Sequence, residues 1–592
     1  ESGSDEDTTK RLGPIVEQAK AEVEKLEAQD AEQSVEEAED YFPENDAQIT
    51  PEDVHYRYAA RADNLRARTL AAVTVSLVMI YITLAVSFGW SLPSVFFDSS
   101  ITLTGALAIG QLIITVLGID VVITGIYDVL KFKPGAESLV VLSGMAAFAD
   151  AANTMLLGET LYGMPYSLTA SVALIFAMYG TRLGKSAYNK MLKTIAPFGK
   201  ETLAIYAEWE KVDNGLVLSK SVGSTEGFLF KATRSDCSEI LFGKIGPLLM
   251  LAAPVLAGIS AIGTGRTEAF LRIWAAITCG AAAFSPLLAF NLPFNLASKR
   301  LSSTNTALAA WEGAEDISGT VGLIIKDNDL FKTSALRLSS FKVAQNFSVE
   351  QVVLYTASMI IHSGSGLTKI FSELLEEYGL APAGISGFVT HEAGGLSAVI
   401  GGDKVYFGSE AFMRLKNIVL DEVPTKIGGA VFLSINGVAA GVFIVQYAPS
   451  EKVQKALLRM SKYKISPLLA TRDVNITPTM LRSKFKLDLQ NLEFPPYDER
   501  YALSDDSMET KAKPSALMSQ DSLSAFADIA EAGKWLYNRA KFGTNMSALS
   551  SVIGAFAMFF LCHSGAFVAA SPVKALLFHF ILTVVVMFRS SL

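Results

Sequence analysis

Charged residues, cysteine and histidine are all scarce in this sequence of 592 residues. Only 18% of the residues are charged and 50% are hydrophobic, a balance that excludes a wholly soluble protein of this length. The three cysteines and five histidines stand far apart, which excludes a disulfide scaffold and a Cys-x-x-Cys metal site. On spacing alone we expect no metal centre. These residues are Cys237, Cys279, Cys562, His55, His362, His391, His563 and His579.

Acidic side chains are concentrated at the beginning of the sequence. Residues 1–53 hold 18 acidic and 4 basic side chains, although the net charge of the whole chain is only -9. Because few apolar groups accompany this charge, we expect residues 1–60 to form a solvated, partly disordered cytoplasmic arm. Residues 1–53 contain no cysteine or histidine that could capture a soft metal. A protein-binding surface is therefore the better interpretation of the arm.

Apolar segments are long enough to cross about 30 Å of hydrocarbon as helices in eight places. Basic residues such as Arg68, Lys131 and Lys133 flank these segments on alternate sides, which predicts that both termini are cytoplasmic. The sequence therefore predicts a polytopic α-helical protein with eight transmembrane helices, in the plasma membrane of a bacterium. The segments are residues 69–90, 104–130, 136–157, 165–183, 244–263, 271–293, 546–565 and 572–588.

Two polar insertions interrupt the spans on the positively charged side, at residues 185–243 and 299–545. In the larger one, short alternating segments between residues 387 and 435 predict strands, while residues 451–462 and 524–541 predict helices. A strand–helix–strand alternation over residues 438–472 predicts a doubly wound α/β element with a β-rich lobe inserted in it.

The order of spans and insertions resembles the heavy-metal-transporting branch of the P-type ATPases along residues 65–592. Residues 133–142 resemble the loop that opens that family's third span, and residues 284–290 resemble its ion-site span. Residues 448–473 and 513–541 resemble parts of its phosphorylation domain. For the membrane part, the resemblance implies spans 1–4 in residues 65–184, spans 5–6 in residues 244–298 and spans 7–8 in residues 546–592. For the small insertion it implies a reduced actuator-like domain in residues 185–243. For the large insertion it implies a degenerate HAD-like phosphorylation domain in residues 299–335 and 440–545, with a β-rich nucleotide-binding-like domain in residues 336–439.

The catalytic parts of that family are missing or altered in this sequence. Aligning Lys326 with the lysine of Asp-Lys-Thr-Gly-Thr places Ile325 where the nucleophilic aspartate belongs. A shifted register offers Asp327 or Asp329 but loses the flanking motif. Thr471 and Asp473 stand in the altered version of the family's Thr-Gly-Asp-Asn loop. The Gly-Asp-Gly-x-Asn-Asp loop that binds Mg²⁺ in the family does not follow them in this sequence. The Thr-Gly-Glu motif of the small insertion is replaced by residues 224–227, Ser-Thr-Glu-Gly.

Nucleotide-binding positions are also reduced. The family's His-Pro pair is replaced near residues 363–367, and a glycine-rich segment survives in part as Gly394, Gly395 and Gly408. These glycines could let the backbone approach a nucleotide, or they could form β-turns between short strands, and we favour the turns. His362 and His391 are interpreted as structural residues.

The family's Cys-Pro-Cys ion site becomes Ser285, Pro286 and Leu287, and serine is a poor ligand for a soft metal. Pro286 frees a backbone carbonyl and could unwind the span. The alternatives are a polar pocket and a structural kink with hydrogen bonds between helices, and we favour the kink. For His579 a functional role inside the bundle and a place near the outer headgroups stay equally open. The candidate polar and kink positions in the membrane are Ser285, Pro286, Asn291, Pro293, Asn295 and His579.

These substitutions together predict an inactive member of the family, a pseudo-pump that serves as a scaffold, partner subunit or regulator. The alternatives are a divergent ATPase or permease for a cation or small solute, and a protein that senses ATP without hydrolysing it. We expect no catalytic residue, no bound metal and no obligatory ATP or Mg²⁺. The expected partners are the lipid bilayer and an unidentified protein, with no nucleic acid.

Overall fold

The structure is a computed structural model that describes residues 51–90, 100–157, 163–199, 202–209, 216–222, 227–392, 394–420, 429–486, 492–505 and 512–591. Most of the predicted acidic arm, residues 1–50, lies outside these ranges, as do residues 224–226 of the small insertion. Residues Arg57–Leu592 form one compact unit, and the description below concerns that unit.

Helices occupy all eight segments that the sequence predicts to be spans. Among the described residues, six helical segments are long and apolar enough to cross a membrane, or seven if the bent pair α2–α3, whose axes meet at 80°, forms one span. The bundle helices are α1 (Pro51–Phe88), α2 (Ser100–Leu117), α3 (Ile119–Leu130), α4 (Ala136–Leu157), α5 (Ser167–Ile195), α7 (Cys237–Gly263), α8 (Phe270–Ala281), α9 (Pro286–Ser302), α18 (Leu523–His563) and α19 (Pro572–Ser591). The chain is therefore a multi-pass helical membrane protein with further domains outside the bundle.

Helix α5, the predicted fourth span, is not among the six apolar segments. Its first half carries Ser167, Thr169 and Ser171, which are buried between neighbouring helices. Small polar residues are common at helix interfaces in membranes because they allow close backbone approach. A helix that is surrounded by protein needs less apolar surface than one that faces lipid, so its composition falls short of a lipid-exposed span.

A six-stranded sheet combines both insertions. Its strand order is β11–β4–β2–β1–β12–β3, with β11, β4 and β2 parallel and the other neighbours antiparallel. The hairpin β1–β2 of the small insertion thus lies in the middle of a sheet completed by the large insertion, a pairing that the sequence did not predict. The strands are β1 (Leu203–Trp209), β2 (Leu216–Val222), β3 (Thr306–Leu308), β4 (Thr320–Ile325), β11 (Ser466–Leu469) and β12 (Ala516–Met518).

The second sheet is antiparallel throughout, in the order β5–β10–β9–β8–β7–β6. Because β10 belongs here and β11 belongs to the first sheet, the doubly wound unit predicted for residues 438–472 is wrong: its two strands never pair. The predicted boundary at residue 439 also falls inside β10. The strands are β5 (Leu336–Val343), β6 (Ile385–His391), β7 (Gly395–Ile400), β8 (Asp403–Gly408), β9 (Ala430–Ile435) and β10 (Val438–Tyr447).

Helices outside the bundle connect and cover the two sheets. The longest link is α18, whose 41 residues run from the edge of the first sheet into the bundle as one helix of about 60 Å. The remaining helices are α6 (Phe228–Ala232), α10 (Ala310–Ser318), α11 (Asp327–Leu330), α12 (Val349–Ser363), α13 (Thr368–Glu377), α14 (Glu410–Leu415), α15 (Glu451–Lys462), α16 (Pro478–Phe485) and α17 (Tyr497–Leu503).

Candidate functional site

A polar cavity of about 300 Å³ lies where the parallel strands β4 and β11 end. The carboxyl ends of parallel strands form the usual binding edge of an α/β sheet. Asp327 and Asp329 follow β4 in the short helix α11, whereas Ile325 is the last residue of the strand and is completely buried. We call this space the sheet-edge cavity. Its charged lining residues are Lys220, Lys326, Asp327, Asp329, Arg472 and Asp521.

Lys220 joins the two insertions across the sheet-edge cavity. It projects from β2, is 6% exposed, and its ammonium group forms short ion pairs with both Asp329 and Asp521. Asp329 also accepts a hydrogen bond from the backbone N–H of Lys326, at 2.9 Å. Burial would lower the pKa of Lys220, but the two carboxylates outweigh burial and raise it. The ammonium therefore stays protonated between the two acids.

Asp327 is held by backbone groups. Its carboxylate accepts N–H bonds from Gly366 at 2.8 Å and from Arg472 at 3.2 Å. Burial, with a smaller contribution from the Asp473 carboxylate, raises the pKa of Asp327 to about 7. A side chain at Gly366 would place its Cβ 2.9 Å from the Cβ of Asp327, so this close approach requires glycine.

Thr471 and Asp473 belong to one loop, and this loop lies beside Asp327. Asp473 accepts hydrogen bonds from the hydroxyl of Tyr447, at 2.6 Å, and from the N–H of Asn475, at 2.9 Å. Burial raises the pKa of Asp473 to about 6. The hydroxyl of Thr471 is buried and has no hydrogen-bond partner in the described part of the chain. The structure therefore brings Lys326, Asp327, Asp329, Thr471 and Asp473 together.

The predicted glycines lie elsewhere, in the second sheet. A Cβ at Gly395 would come within 2.1 Å of the Phe412 ring, and a Cβ at Gly408 would come within 2.5 Å of the carbonyl of Gly394. Gly394 itself has φ +79° in the turn before β7. These glycines are thus explained by strand packing and a turn, and they do not line the sheet-edge cavity.

The predicted polar positions of the membrane are used for hydrogen bonds within the bundle. The hydroxyls of Ser285 and Ser547 are 2.7 Å apart, and both are buried. Asn291 donates to the carbonyl of Leu287 at 2.9 Å, and Asn295 accepts from Lys190 at 2.7 Å.

The two predicted prolines differ in what they do to the helix. Residues 282–285 separate α8 from α9, and Pro286 is the first residue of α9, where no backbone N–H is needed. The carbonyl of Pro286 itself accepts a hydrogen bond from the hydroxyl of Ser238, at 2.8 Å. Pro293 lies within α9 without ending it. The predicted interruption therefore falls at Pro286.

His579 is fully buried among the helices of the bundle. Burial does not give its depth in the membrane, so both of its predicted places stay predictions. Its Nδ1 lies 2.9 Å from the Ser550 hydroxyl and its Nε2 lies 3.1 Å from the carbonyl of Cys279. Gly280 and Gly554 pack backbone to backbone beside it. A Cβ on Gly554 would be 2.1 Å from the carbonyl oxygen of Gly280, so this close contact requires glycine.

Two sets of ion pairs were not predicted from the sequence. The first joins Lys220 to Asp329 and Asp521, and nothing in the small insertion indicates that Lys220 would meet these acids. Asp150 and Arg272 form a buried ion pair of 2.8 Å inside the bundle. The presence of Asp150 and Arg272 within two apolar segments could have indicated this pair, since ionised groups in a membrane interior require a partner.

The acids of the sheet-edge cavity do not fit a divalent cation as they stand. Mg²⁺ prefers several oxygen ligands in octahedral geometry. Asp329 and Asp521, however, are both paired with the ammonium of Lys220. Among the described residues, no group of three His, Cys, Asp or Glu side chains could hold a metal ion.

No protein-family model and no curated protein matches this chain. The similarity found is to solved P-type ATPases. A zinc-transporting PIB-type ATPase in the E2.Pi state is 11% identical, with 88% of this chain and 99% of that chain covered at a TM-score of 0.40. A second structure of a zinc-transporting PIB-type ATPase, in another E2 state, is 12% identical over 85% of this chain and 99% of that chain, at 0.37. The catalytic domain of the CPx-ATPase CopB-B is 14% identical over 34% of this chain and 70% of that chain, at 0.23. Scores this low do not establish a shared activity.

Proposed function

We propose that this chain is a membrane protein of P-type ATPase-like architecture that does not form an aspartyl phosphate, and that it acts by binding, as a scaffold, partner subunit or regulator. The observation that carries the proposal is the ammonium of Lys220, which neutralises both Asp329 and Asp521. Phosphoryl transfer from ATP needs Mg²⁺ beside the transferred group. A fixed ammonium between these acids takes away the carboxylates that would hold the ion.

The state of Asp327 supports the same proposal. A nucleophilic carboxylate must be ionised and free to reach the phosphorus atom. Asp327 is already bound by the N–H groups of Gly366 and Arg472, and its pKa of about 7 leaves it about half protonated at neutral pH. Both features lower its reactivity.

A divergent ATPase is the second candidate, and one observation favours it. Asp327 follows a parallel strand at the mouth of a polar cavity of about 300 Å³, and Lys326 and Arg472 line the same space. Basic groups around a carboxylate at a strand end could receive a phosphate. A conformational change that withdrew Lys220 from Asp329 would make this site more accessible.

Incubation of the purified full chain with γ-labelled ATP and Mg²⁺ distinguishes the two candidates. We expect no acid-stable, hydroxylamine-sensitive label, and ATP hydrolysis no faster than that of the Asp327→Asn variant. A functional P-type ATPase labelled in parallel serves as the positive control. A labelled band that is lost in Asp327→Asn and retained in Asp473→Asn would falsify the proposal and favour the ATPase.

A further inference from the structure

A second cavity, of about 210 Å³, lies between α7 and α18 near the end of the bundle that carries the sheets. Its lining includes Lys244 of α7, Lys541 and Tyr537 of α18, and Trp311 and Glu315 of α10. We call it the α7–α18 cavity. It plays no part in the sheet-edge site.

The two lysines mark the level where the hydrocarbon of a bilayer would begin. After Lys244, α7 carries no charged residue from Ile245 to Gly263, and after Lys541, α18 carries none from Phe542 to Cys562. These stretches correspond to about 28 Å and 31 Å of helix, close to the thickness of the hydrocarbon core. Both ammonium groups therefore belong to the headgroup layer.

The positive charge of the cavity is only partly compensated. Lys541 donates a hydrogen bond to the Tyr537 hydroxyl at 2.8 Å, and Glu315 is the single carboxylate among the described lining residues. Lys244 has no ion pair or hydrogen bond with any residue that the structure describes. An ammonium group beside hydrocarbon favours an anionic partner, because the bilayer edge offers less water than a free surface.

Aromatic side chains form one wall of the cavity. Trp311 stacks on Tyr537 with ring centroids 5.1 Å apart and an angle of 15° between the rings. Tryptophan and tyrosine are enriched at the depth of the headgroups, where their rings contact both apolar and polar groups. This wall is suited to the glycerol backbone of a lipid.

Exposed apolar side chains continue from the cavity toward the membrane centre. On α7 they follow Lys244 at helical spacing, as Leu248, Leu251 and Val255, which are 68%, 71% and 60% exposed. On α18, Leu549, Ile553 and Phe556 follow the lining residue Asn545 at the same spacing of three or four residues. The two rows lie on helices that contact each other, and they offer acyl chains an exposed apolar surface.

We propose that the α7–α18 cavity binds the headgroup of an anionic phospholipid, with its phosphate at Lys244 and Lys541 and its acyl chains along the two apolar rows. The proposal does not depend on whether the chain hydrolyses ATP. It gives the protein a lipid site at the junction of the bundle and the first sheet, where α10 and α18 meet.

The test uses the purified full chain in a neutral detergent, titrated with phosphatidylglycerol or with phosphatidylcholine of the same acyl chains. Native mass spectrometry counts bound lipids, and thermal unfolding measures stabilisation. For the Lys244→Ala/Lys541→Ala variant we expect about thirtyfold weaker binding of phosphatidylglycerol, since each lysine near a membrane surface contributes about fivefold. Phosphatidylcholine binding should not change, and the Lys244→Arg/Lys541→Arg variant should retain the anionic preference.

The matched control is Lys131→Ala/Lys133→Ala, which removes two positive charges just after α3, and we expect it to leave lipid binding unchanged. If the double alanine variant does not fold, Lys244→Ala alone should weaken phosphatidylglycerol binding about fivefold. Equal binding of the two lipids by the unmodified protein would overturn the proposal, as would an equal loss in the control. Stabilisation by inorganic phosphate alone, lost in the same variants, would reassign the cavity to a soluble anion.

Discussion

The sheet-edge cavity and the centre of the helix bundle both gather polar side chains, but they satisfy them differently. In the sheet-edge cavity, Lys220 pairs ionised groups from distant parts of the chain beside an open space. In the bundle, Ser285 with Ser547 and His579 with Ser550 form hydrogen bonds between tightly packed helices. The sheet-edge cavity, which is the outer site of this comparison, is thus held together by charge, and the centre of the bundle is held together by close packing. The same chain thus satisfies its buried polar groups in two separate physical ways.

The largest expected effect comes from removing the charge that holds the outer site. In Lys220→Ala the carboxylate of Asp329, which is 4% exposed, remains buried without its partner. Breaking a buried ion pair in this way costs about 3–5 kcal/mol. We therefore expect the unfolding temperature of the full chain in detergent to fall steeply.

Two further variants sharpen this result. Lys220→Met/Asp329→Asn removes both charges and should recover most of the lost stability, because no unpaired charge remains buried. Lys455→Ala breaks an ion pair with Glu451 in which both side chains are more than 60% exposed, so it should cost less than about 1 kcal/mol. If Lys220→Ala were no more harmful than Lys455→Ala, charge would not hold the outer site.

The pH dependence of stability tests the same site, and we expect it to show the second-largest effect. The pKa of Asp327 is about 7 in the folded chain, above its ordinary value of 3.8. Between these values the folded state keeps a proton that the unfolded state has released, so stability is lost as the pH rises from about 4 to about 7. The slope for one such group is at most about 1.4 kcal/mol per pH unit.

Thermal unfolding of the full chain and of Asp327→Asn between pH 5 and 8 measures this slope. The difference should shift in favour of the asparagine variant as the pH rises, because asparagine does not titrate. Parallel curves for the two proteins would contradict the raised pKa of Asp327. Asp473→Asn provides a comparison, with its window centred lower because its pKa is about 6.

The sequence revealed much of the bundle and little of the outer site. Apolar runs such as residues 572–588 identify helices because a bilayer sets their length. The partners of Lys220 could not be predicted, since β2 joins β4 across about a hundred residues of sequence and pairing over that distance leaves no local pattern. The sequence predicted Ile325 at the nucleophile position and offered Asp327 or Asp329 only in a shifted register, and the fold is needed to show that both acids line the cavity.

The bundle gives the third test, with a smaller expected effect and no charge involved. In Gly554→Ala the new methyl group would lie 2.1 Å from the carbonyl oxygen of Gly280, and backbone cannot move aside as a flexible side chain can. Helices α8 and α18 must separate, which should cost about 1–3 kcal/mol and weaken the neighbouring hydrogen bonds of His579. Gly258→Ala in α7 is the matched control, because its Cβ would meet nothing within 4 Å and alanine favours helix.

Since no ionised group is added or removed, the loss of stability in Gly554→Ala should be the same at pH 6 and pH 8, in contrast to the outer site. A loss that varied with pH as strongly as that of Asp327 would mean that the bundle too is held by a titrating group, and the distinction between the two sites would fail.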